Sequence, residues 1–335
     1  MPTVSIVIPT YKRANFLGYV LEALENQKYK DFEVVIVLKP AEDGSEKIIE
    51  KHSQALNIVL ILQKCGGYIE ALTLGIEHSR GKIIAFLDDD AVPFANWIEK
   101  HVETYKKFNV GGVVGDVVSA VLVKDRVIPI NEFSSEIIPR TSKREINRKP
   151  WHSPLKGLED YGTYITKSGH IYNRLLLTKS SLCKTVSGMG ANMSFSRNAL
   201  ETFHFPNDWM APYAYESFLG WHLWKNKQLM IFNPDARVLH ITHASSLGRS
   251  RPKRNALLYA EYELFFYRLY NYEKGLSLLC KLLSIVATTL SSPELSLIGG
   301  LFYGNLYGLK WLVYNKIGRF YNPLRELYSS FGKKI

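Results

Sequence analysis

Three consecutive carboxylates, Asp88-Asp89-Asp90, follow directly on the apolar run Ile83-Ile84-Ala85-Phe86-Leu87. Neighbouring like charges repel unless water or a cation offsets them, and a hard divalent ion with oxygen ligands does so well. A diphosphate would supply further oxygens, so Mg2+ or Mn2+ here could join protein to nucleotide and neutralise a departing phosphate. The competing reading is a solvated turn, or an N-cap for the helical pattern of Ala95–Tyr105. The cluster taken alone does not choose between them.

To bind anything, those carboxylates must stand at the edge of a rigid element. Val4–Pro9 is a short β-branched run that stops at a proline, and Phe32–Leu38 repeats it, as buried strands of a parallel sheet do. Between them, Asn15–Asn26 places Phe16, Leu17, Val20, Leu21 and Leu24 at helical spacing. The pattern continues with a helix at Glu46–His52, a strand at Ile58–Leu62, a helix at Tyr68–His78 and a strand at Lys82–Leu87. This alternation predicts an α/β fold, a mostly parallel, doubly wound sheet flanked by helices, with ligands outside the carboxyl ends of its strands. The aspartates stand at such an end.

Residues 119–184 break the rhythm with a strand-like Val121–Ile130, a basic polar stretch and a hairpin around Lys167-Ser168-Gly169. They read as an acceptor-side insertion into a catalytic domain of residues 1–250. From Asn255 to about Tyr314 the chain is helical in pattern and rich in Leu, Tyr and Phe, which predicts a helical extension over 251–335.

Hydrophobic residues make up 46% and charged residues 22% of the 335, which supports a packed core and excludes disorder as the default. Three scattered cysteines, Cys65, Cys183 and Cys280, argue against a disulfide framework and a Cys-rich zinc site. The amino terminus enters Val4-Ser5-Ile6-Val7-Ile8 without the features of a secretory leader, which predicts a cytoplasmic protein. A net charge of +11 points to an acidic partner: nucleotide phosphates or anionic lipid headgroups. Nucleic acid is not expected, because the basic residues are dispersed and no nucleic-acid module is recognisable.

The segments Val4-Ser5-Ile6-Val7-Ile8-Pro9-Thr10-Tyr11-Lys12-Arg13, Gly67-Tyr68-Ile69-Glu70-Ala71-Leu72-Thr73-Leu74-Gly75 and Phe86-Leu87-Asp88-Asp89-Asp90 are specific in their order and spacing. Over roughly residues 3–245 the chain resembles the family 2 glycosyltransferases. The resemblance implies a GT-A fold, a nucleotide diphosphate sugar donor, Mn2+ or Mg2+, and inversion at the sugar carbon. By position it implies a nucleotide-sugar site of Pro9, Thr10, Tyr11, Arg13, Lys39, Gly67, Asp88 and Asp89. Thr10, Tyr11 and Arg13 would touch the base or ribose, Asp88 and Asp89 the ribose and sugar, and Asp90 the metal. One departure is plain: the family's second strand commonly ends Asp-Asp-Gly-Ser, whereas here Leu38-Lys39-Pro40-Ala41-Glu42 precedes Asp43-Gly44-Ser45. The carboxylate expected on the base is displaced or replaced by Lys39, whose other reading is a solvated loop lysine.

The segment Gly188–Arg197 resembles the family's lining of the sugar and acceptor pocket, which implies roles for Gly190, Ala191 and Asn192; otherwise Gly-x-Gly marks only a tight turn. In Tyr215-Glu216-Ser217-Phe218-Leu219-Gly220-Trp221, Glu216 matches the carboxylate of the family's Glu-Asp motif, although the family usually has Asp there behind a second acid. The resemblance makes Glu216 the general base, with Trp221 in the pocket and burial among Phe218, Trp221 and Trp224 raising its pKa. The plainer reading is a glutamate favoured at a helix start by the macrodipole. Val238-Leu239-His240 resembles the closing strand whose histidine joins the metal or pyrophosphate, with His243 as competitor. Arg249, Arg251, Lys253 and Arg254 form a basic stretch able to fold over a diphosphate, or a solvated linker.

Two rivals are a sugar nucleotidyltransferase, which would usually show a Gly-rich basic loop where Pro9-Thr10-Tyr11 stands, and a non-catalytic nucleotide-binding module. The acceptor expected is a glycan or a lipid-linked saccharide. Leu276–Leu290 is interrupted by Lys281, and Leu297–Tyr314 by Gly299, Gly300, Gly304, Gly308 and Lys310, so neither reads as a clean membrane span. Amphipathic packing is the first reading and peripheral membrane contact the second.

Overall fold

The computed structural model describes residues 1–130, 150–173, 181–205, 214–243, 252–291 and 295–330. Its first half follows the expected alternation: β1 (Val4–Thr10), α1 (Ala14–Glu25), β2 (Phe32–Leu38), α2 (Ser45–His52), β3 (Ile58–Leu62), α3 (Tyr68–His78) and β4 (Ile83–Phe86). All four strands are parallel, with Val4 opposite Phe32 on one side and Ile83 on the other. β1 and β4 are buried along their whole length, the condition that β-branched runs without alternation satisfy. Helix α1 buries Phe16, Leu17, Val20, Leu21 and Leu24, the five residues its spacing marks out.

Beyond β4 lie β5 (Ala91–Pro93), α4 (Trp97–Lys107), β6 (Val110–Val123), β7 (Arg126–Pro129), β8 (Thr163–Ile165), β9 (Ile171–Asn173), β10 (Cys183–Lys184), β11 (Met193–Ser196), α5 (Arg197–Glu201), α6 (Tyr215–Lys225) and β12 (Leu229–Ile241). The main sheet runs β10-β12-β6-β11-β4-β1-β2-β3, with β5 on β12 and β7 on β6. β11 is antiparallel to both neighbours, whereas β12 and β6 are parallel. The α/β class is therefore as expected.

The chain divides into two compact units, Met1–Ile138, Leu176–His204 and Leu219–Thr242 forming one, and Pro139–Leu175, Phe205–Phe218 and His243–Ile335 the other. Residues 119–123 are thus the end of a long central strand, with Val121–Ile130 mostly a hairpin of β6 with β7. The β8–β9 hairpin, expected as part of an insertion into the sheet domain, belongs with the carboxy-terminal helices. The reason is a buried ion pair within that unit: Lys281 Nζ lies 2.6 Å from Glu263 Oε2 and 3.2 Å from Nε2 of His170 in the hairpin turn. That unit's remaining helices are α7 (Pro252–Tyr270), α8 (Leu278–Ser291), α9 (Leu295–Lys316) and α10 (Pro323–Ser330). α9 packs closely on α7: a Cβ on Gly300 would stand 2.5 Å from the Ala256 carbonyl oxygen, and one on Gly304 2.6 Å from that of Ala260. Of the glycines that interrupt the apolar run, Gly300, Gly304 and Gly308 are contact points between helices, whereas Gly299 faces open space.

Candidate metal and nucleotide site

The acidic cluster is held from both sides. Leu87 N donates to the Val7 carbonyl at 3.1 Å, continuing the β1–β4 ladder, and Ala91 N donates to the Asp88 carbonyl at 3.1 Å, closing a turn over the aspartates. β5 then pairs with β12, placing His240 opposite Ala91, and Ile241 N donates to the Asp90 carbonyl at 2.9 Å. A histidine 150 positions further along the sequence is thereby set beside the cluster. His240 Nε2 lies 3.1 Å from Asp90 Oδ1, Arg13 reaches to 3.8 Å from Asp90 Oδ2, and the Tyr68 hydroxyl donates to Asp88 Oδ1 at 2.9 Å.

One ligand atom from each of Asp88, Asp90 and His240 falls within 4.8 Å of the other two. Asp88, expected to face the nucleotide, therefore joins Asp90 in the group. Among the described residues the group includes His240 and not His243. Loss of solvation and the charge of Asp90 push Asp88 up to about 6 and Asp89 up to about 8. Desolvation lowers His240, but its contact with Asp90 outweighs this and raises it. Burial is the larger cause of the aspartate shifts, with the mutual repulsion of the carboxylates adding to it and Arg13 opposing it. Two carboxylates and an imidazole fit a divalent cation, Mn2+ better than Mg2+ because of the nitrogen, and a cation would reverse the shifts.

At the ends of β1 and β2, Tyr11 is 48% exposed, with Lys12 Nζ 5.2 Å and Lys39 Nζ 5.6 Å from its ring centre. Lys39 is no free loop lysine: its ammonium donates to the Gly66 carbonyl at 2.7 Å. Lys12 adopts the left-handed backbone region at φ 58°, a strained conformation of the kind that clusters at binding turns. An open ring with two cations beside it can stack a base and attract phosphate. Thr10 is buried, its hydroxyl without a hydrogen bond of ordinary geometry although its proximity lowers Asp89 against burial; Pro9 is buried before it. Gly67 is the N-cap of α3, its N–H donating to Glu70 Oε2 at 2.8 Å. Asp43 caps α1 by accepting from Ala14 N at 3.0 Å, so the displaced carboxylate serves the turn that carries Arg13.

The second set of expected residues is placed differently. Asn192 is completely buried; its Oδ1 accepts from Trp97 Nε1 at 2.8 Å and lies 3.0 Å from His101 Nε2, and its Nδ2 donates to the carbonyls of Asp116 and Ala236. These contacts tie its side chain into the scaffold. Gly190 and Ala191 are buried in the same short turn, and Trp221 is 9% exposed. Glu216 stands half-buried in the first turn of α6. Arg249 lies outside the described residues. Tyr68 has a contact with the cluster that the sequence reading missed; its one signal is an aromatic side chain immediately after Gly66-Gly67, at the helix start nearest the strand tip.

Residues 5–200 match the family description Glycosyl transferase family 2. The chain belongs to that family. Among relatives of this family 2 chain, glycosyltransferase AglE of Haloferax volcanii is 36% identical over 122 residues, covering 35% of this chain and 40% of AglE. Chondroitin synthase of Escherichia coli is 35% identical over 102 residues, 30% of this chain and 15% of the synthase. The matches thus span less than half of each relative. Among solved structures, mannosyltransferase PcManGT from Pyrobaculum calidifontis, in complex with GDP-Man and Mn2+, superposes with a TM-score of 0.53 at 17% identity, over 99% of this chain and 84% of that one. GalNAc-T7 with UDP, GalNAc and Mn2+ also gives 0.53, at 15% identity, over 82% of this chain and 52% of that one. The family 2 chain has the GT-A arrangement, a mostly parallel sheet flanked by helices, with further helices at the carboxy terminus.

Proposed function

We propose that the protein transfers a sugar from a nucleotide diphosphate donor to a hydroxyl of a glycan or lipid-linked saccharide, with inversion. The observation that carries this is the convergence of Asp88, Asp90 and His240 at the carboxyl end of β4, in a chain of family 2. Bound there, Mn2+ or Mg2+ would supply positive charge to the leaving nucleoside diphosphate. Tyr11 offers a face for the base, and Lys12, Lys39 and Arg13 draw the phosphates to the strand ends. Asp89 faces the ribose or sugar in this reading, and Tyr68 fixes the Asp88 carboxylate in one orientation.

Glu216 acts as general base: the acceptor oxygen bonds to the anomeric carbon, the bond from that carbon to the phosphate oxygen breaks, and the acceptor proton passes to the Glu216 carboxylate. A single displacement inverts the carbon. The assignment is supported by the match of Glu216 and Gly220 to the family motif and by its half-buried place at a helix start. The complexes of PcManGT with GDP-Man and of S. aureus TarS with UDP-GlcNAc suggest the first donors to try, GDP-mannose and UDP sugars.

Thermal unfolding with GDP, UDP and dTDP sugars, each with and without Mn2+, tests the donor half. One class should raise Tm only when the metal is present, and no response from any would overturn the reading. Glu216→Gln should keep that response and lose transfer; transfer at the parent rate, or a product of retained configuration, would remove Glu216 from the role.

A further inference from the structure

Two helices of the carboxy-terminal unit each turn a continuous apolar stripe to solvent. On α8, Leu279, Leu282, Leu283, Val286 and Leu290 are exposed, Leu290 to 80%, and their spacing sets them within one side of the helix. Lys281 and Ser284 on the other side are buried. On α9, Phe302, Leu306, Leu309 and Val313 recur in the same way, while Leu301, Trp311 and Leu312 are buried opposite; Ile317 and Phe320, the latter 81% exposed, extend the apolar surface beyond the helix. Patches of this kind mark a surface that binds something.

The charge pattern indicates what covers them. Neither α8 nor α9 contains an acidic residue. Lys316 is exposed at the end of the α9 stripe, and exposed Arg319 follows it. A second copy would bring the same positive field of a +11 chain and few polar groups to pair across the interface. An anionic lipid surface accepts both the stripes and the cations. No described helix is long and apolar enough to cross a membrane, so the contact is with the surface. We propose that α8 and α9 dock the protein on an anionic bilayer, with the stripes at the boundary of headgroups and acyl chains and with Lys316 and Arg319 at the lipid phosphates. This inference stands apart from the sugar-transfer reading.

Flotation of the whole protein with phosphatidylcholine vesicles, with and without phosphatidylglycerol, tests it. The protein should float with the anionic vesicles and less with the neutral ones, and salt should weaken the association. The pairs Leu282→Glu with Val286→Glu, and Leu306→Glu with Leu309→Glu, should each lower the bound fraction about tenfold or more while leaving Tm unchanged, because exposed leucines lose only their lipid contact. Ile128→Glu, at an exposed apolar position on β7, should leave binding intact. Three results would overturn the proposal: a parent protein that stays unbound, stripe variants that bind like the parent, or an Ile128→Glu loss as large as theirs. Light scattering that finds a dimer split by the stripe substitutions, with vesicles unbound, would assign the surface to a second copy instead.

Discussion

His240 Nε2 lies 3.1 Å from Asp90 Oδ1, and the pairing of β12 with β5 brings them there. Because register in an antiparallel pair moves in whole residues, a slip of one would turn His240 to the other face of the sheet. The backbone hydrogen bond from Ile241 N to the Asp90 carbonyl holds that register next to the cluster itself. The imidazole is therefore placed before any ligand arrives, and no side chain has to pay for ordering it.

Asp90→Asn and His240→Ala should each weaken Mn2+ binding more than about 100-fold, since loss of a direct ligand exceeds the usual 10–100-fold effect of an outer-shell partner. Tyr68→Phe, which removes only the hydrogen bond to Asp88, should fall within that outer-shell range. Calorimetric titration with Mn2+ checks the order; equal effects of all three would place Tyr68 among the ligands.

Asn192→Ala should destabilise the sheet unit by about 3 kcal/mol or more, because it leaves the Trp97 indole N–H and the carbonyls of Asp116 and Ala236 without their buried partner. Urea unfolding measures it. Asp90→Asn, at the site rather than in the scaffold, should cost far less or stabilise, since it removes one of the crowded charges.

That contrast shows how far the sequence could be read. The strands Phe32–Leu38 and Ile58–Leu62 and the helix Tyr68–His78 were visible to the residue, because apolar runs and periods mark such elements, even though β3, at the sheet edge, leaves Leu60 and Leu62 exposed. The aspartates at the β4 tip were visible for the same reason: three charges after a buried strand are conspicuous. The buried network of Asn192 was not legible, because a short polar side chain looks the same in a pocket as in a network, and its partners Trp97 and His101 are more than ninety positions away. The grouping of residues 163–173 with the carboxy-terminal helices was hidden likewise, since it rests on His170 meeting Lys281 and Glu263 over a long sequence separation.

Lowering the pH should weaken the fold through His101. Its ring is buried between Ser194 Oγ at 2.8 Å and Asn192 Oδ1 at 3.0 Å, and desolvation pushes its pKa down to about 4. The unfolded chain binds this proton near pH 6.5, so between about 6.5 and about 4 the unfolded state holds more protons and stability falls as pH falls. The contribution is up to about 3 kcal/mol, fully present above pH about 6.5. The difference in urea midpoint between the parent and His101→Gln across that range isolates this contribution, because His170, also pushed down to about 4, adds to the parent's slope while Asp88 and Asp89, pushed up, oppose it.

The pair at the centre of the carboxy-terminal unit gives a non-additive prediction. Glu263 and Lys281 are 2% and 1% exposed, and Glu263 also accepts from Asn305 Nδ2 at 2.7 Å. Desolvation lowers the Lys281 pKa against the pull of Glu263, so the pair is held charged by mutual contact at the expense of hydration. Lys281→Met should cost about 3–5 kcal/mol by leaving a buried carboxylate with only His170 and Asn305 beside it. Adding Glu263→Gln removes that stranded charge and should restore much of the loss, so the double variant should be more stable than Lys281→Met alone. Thermal unfolding of both variants decides it: a double variant less stable than the single would mean that the ion pair contributes net stability rather than specifying which segments meet.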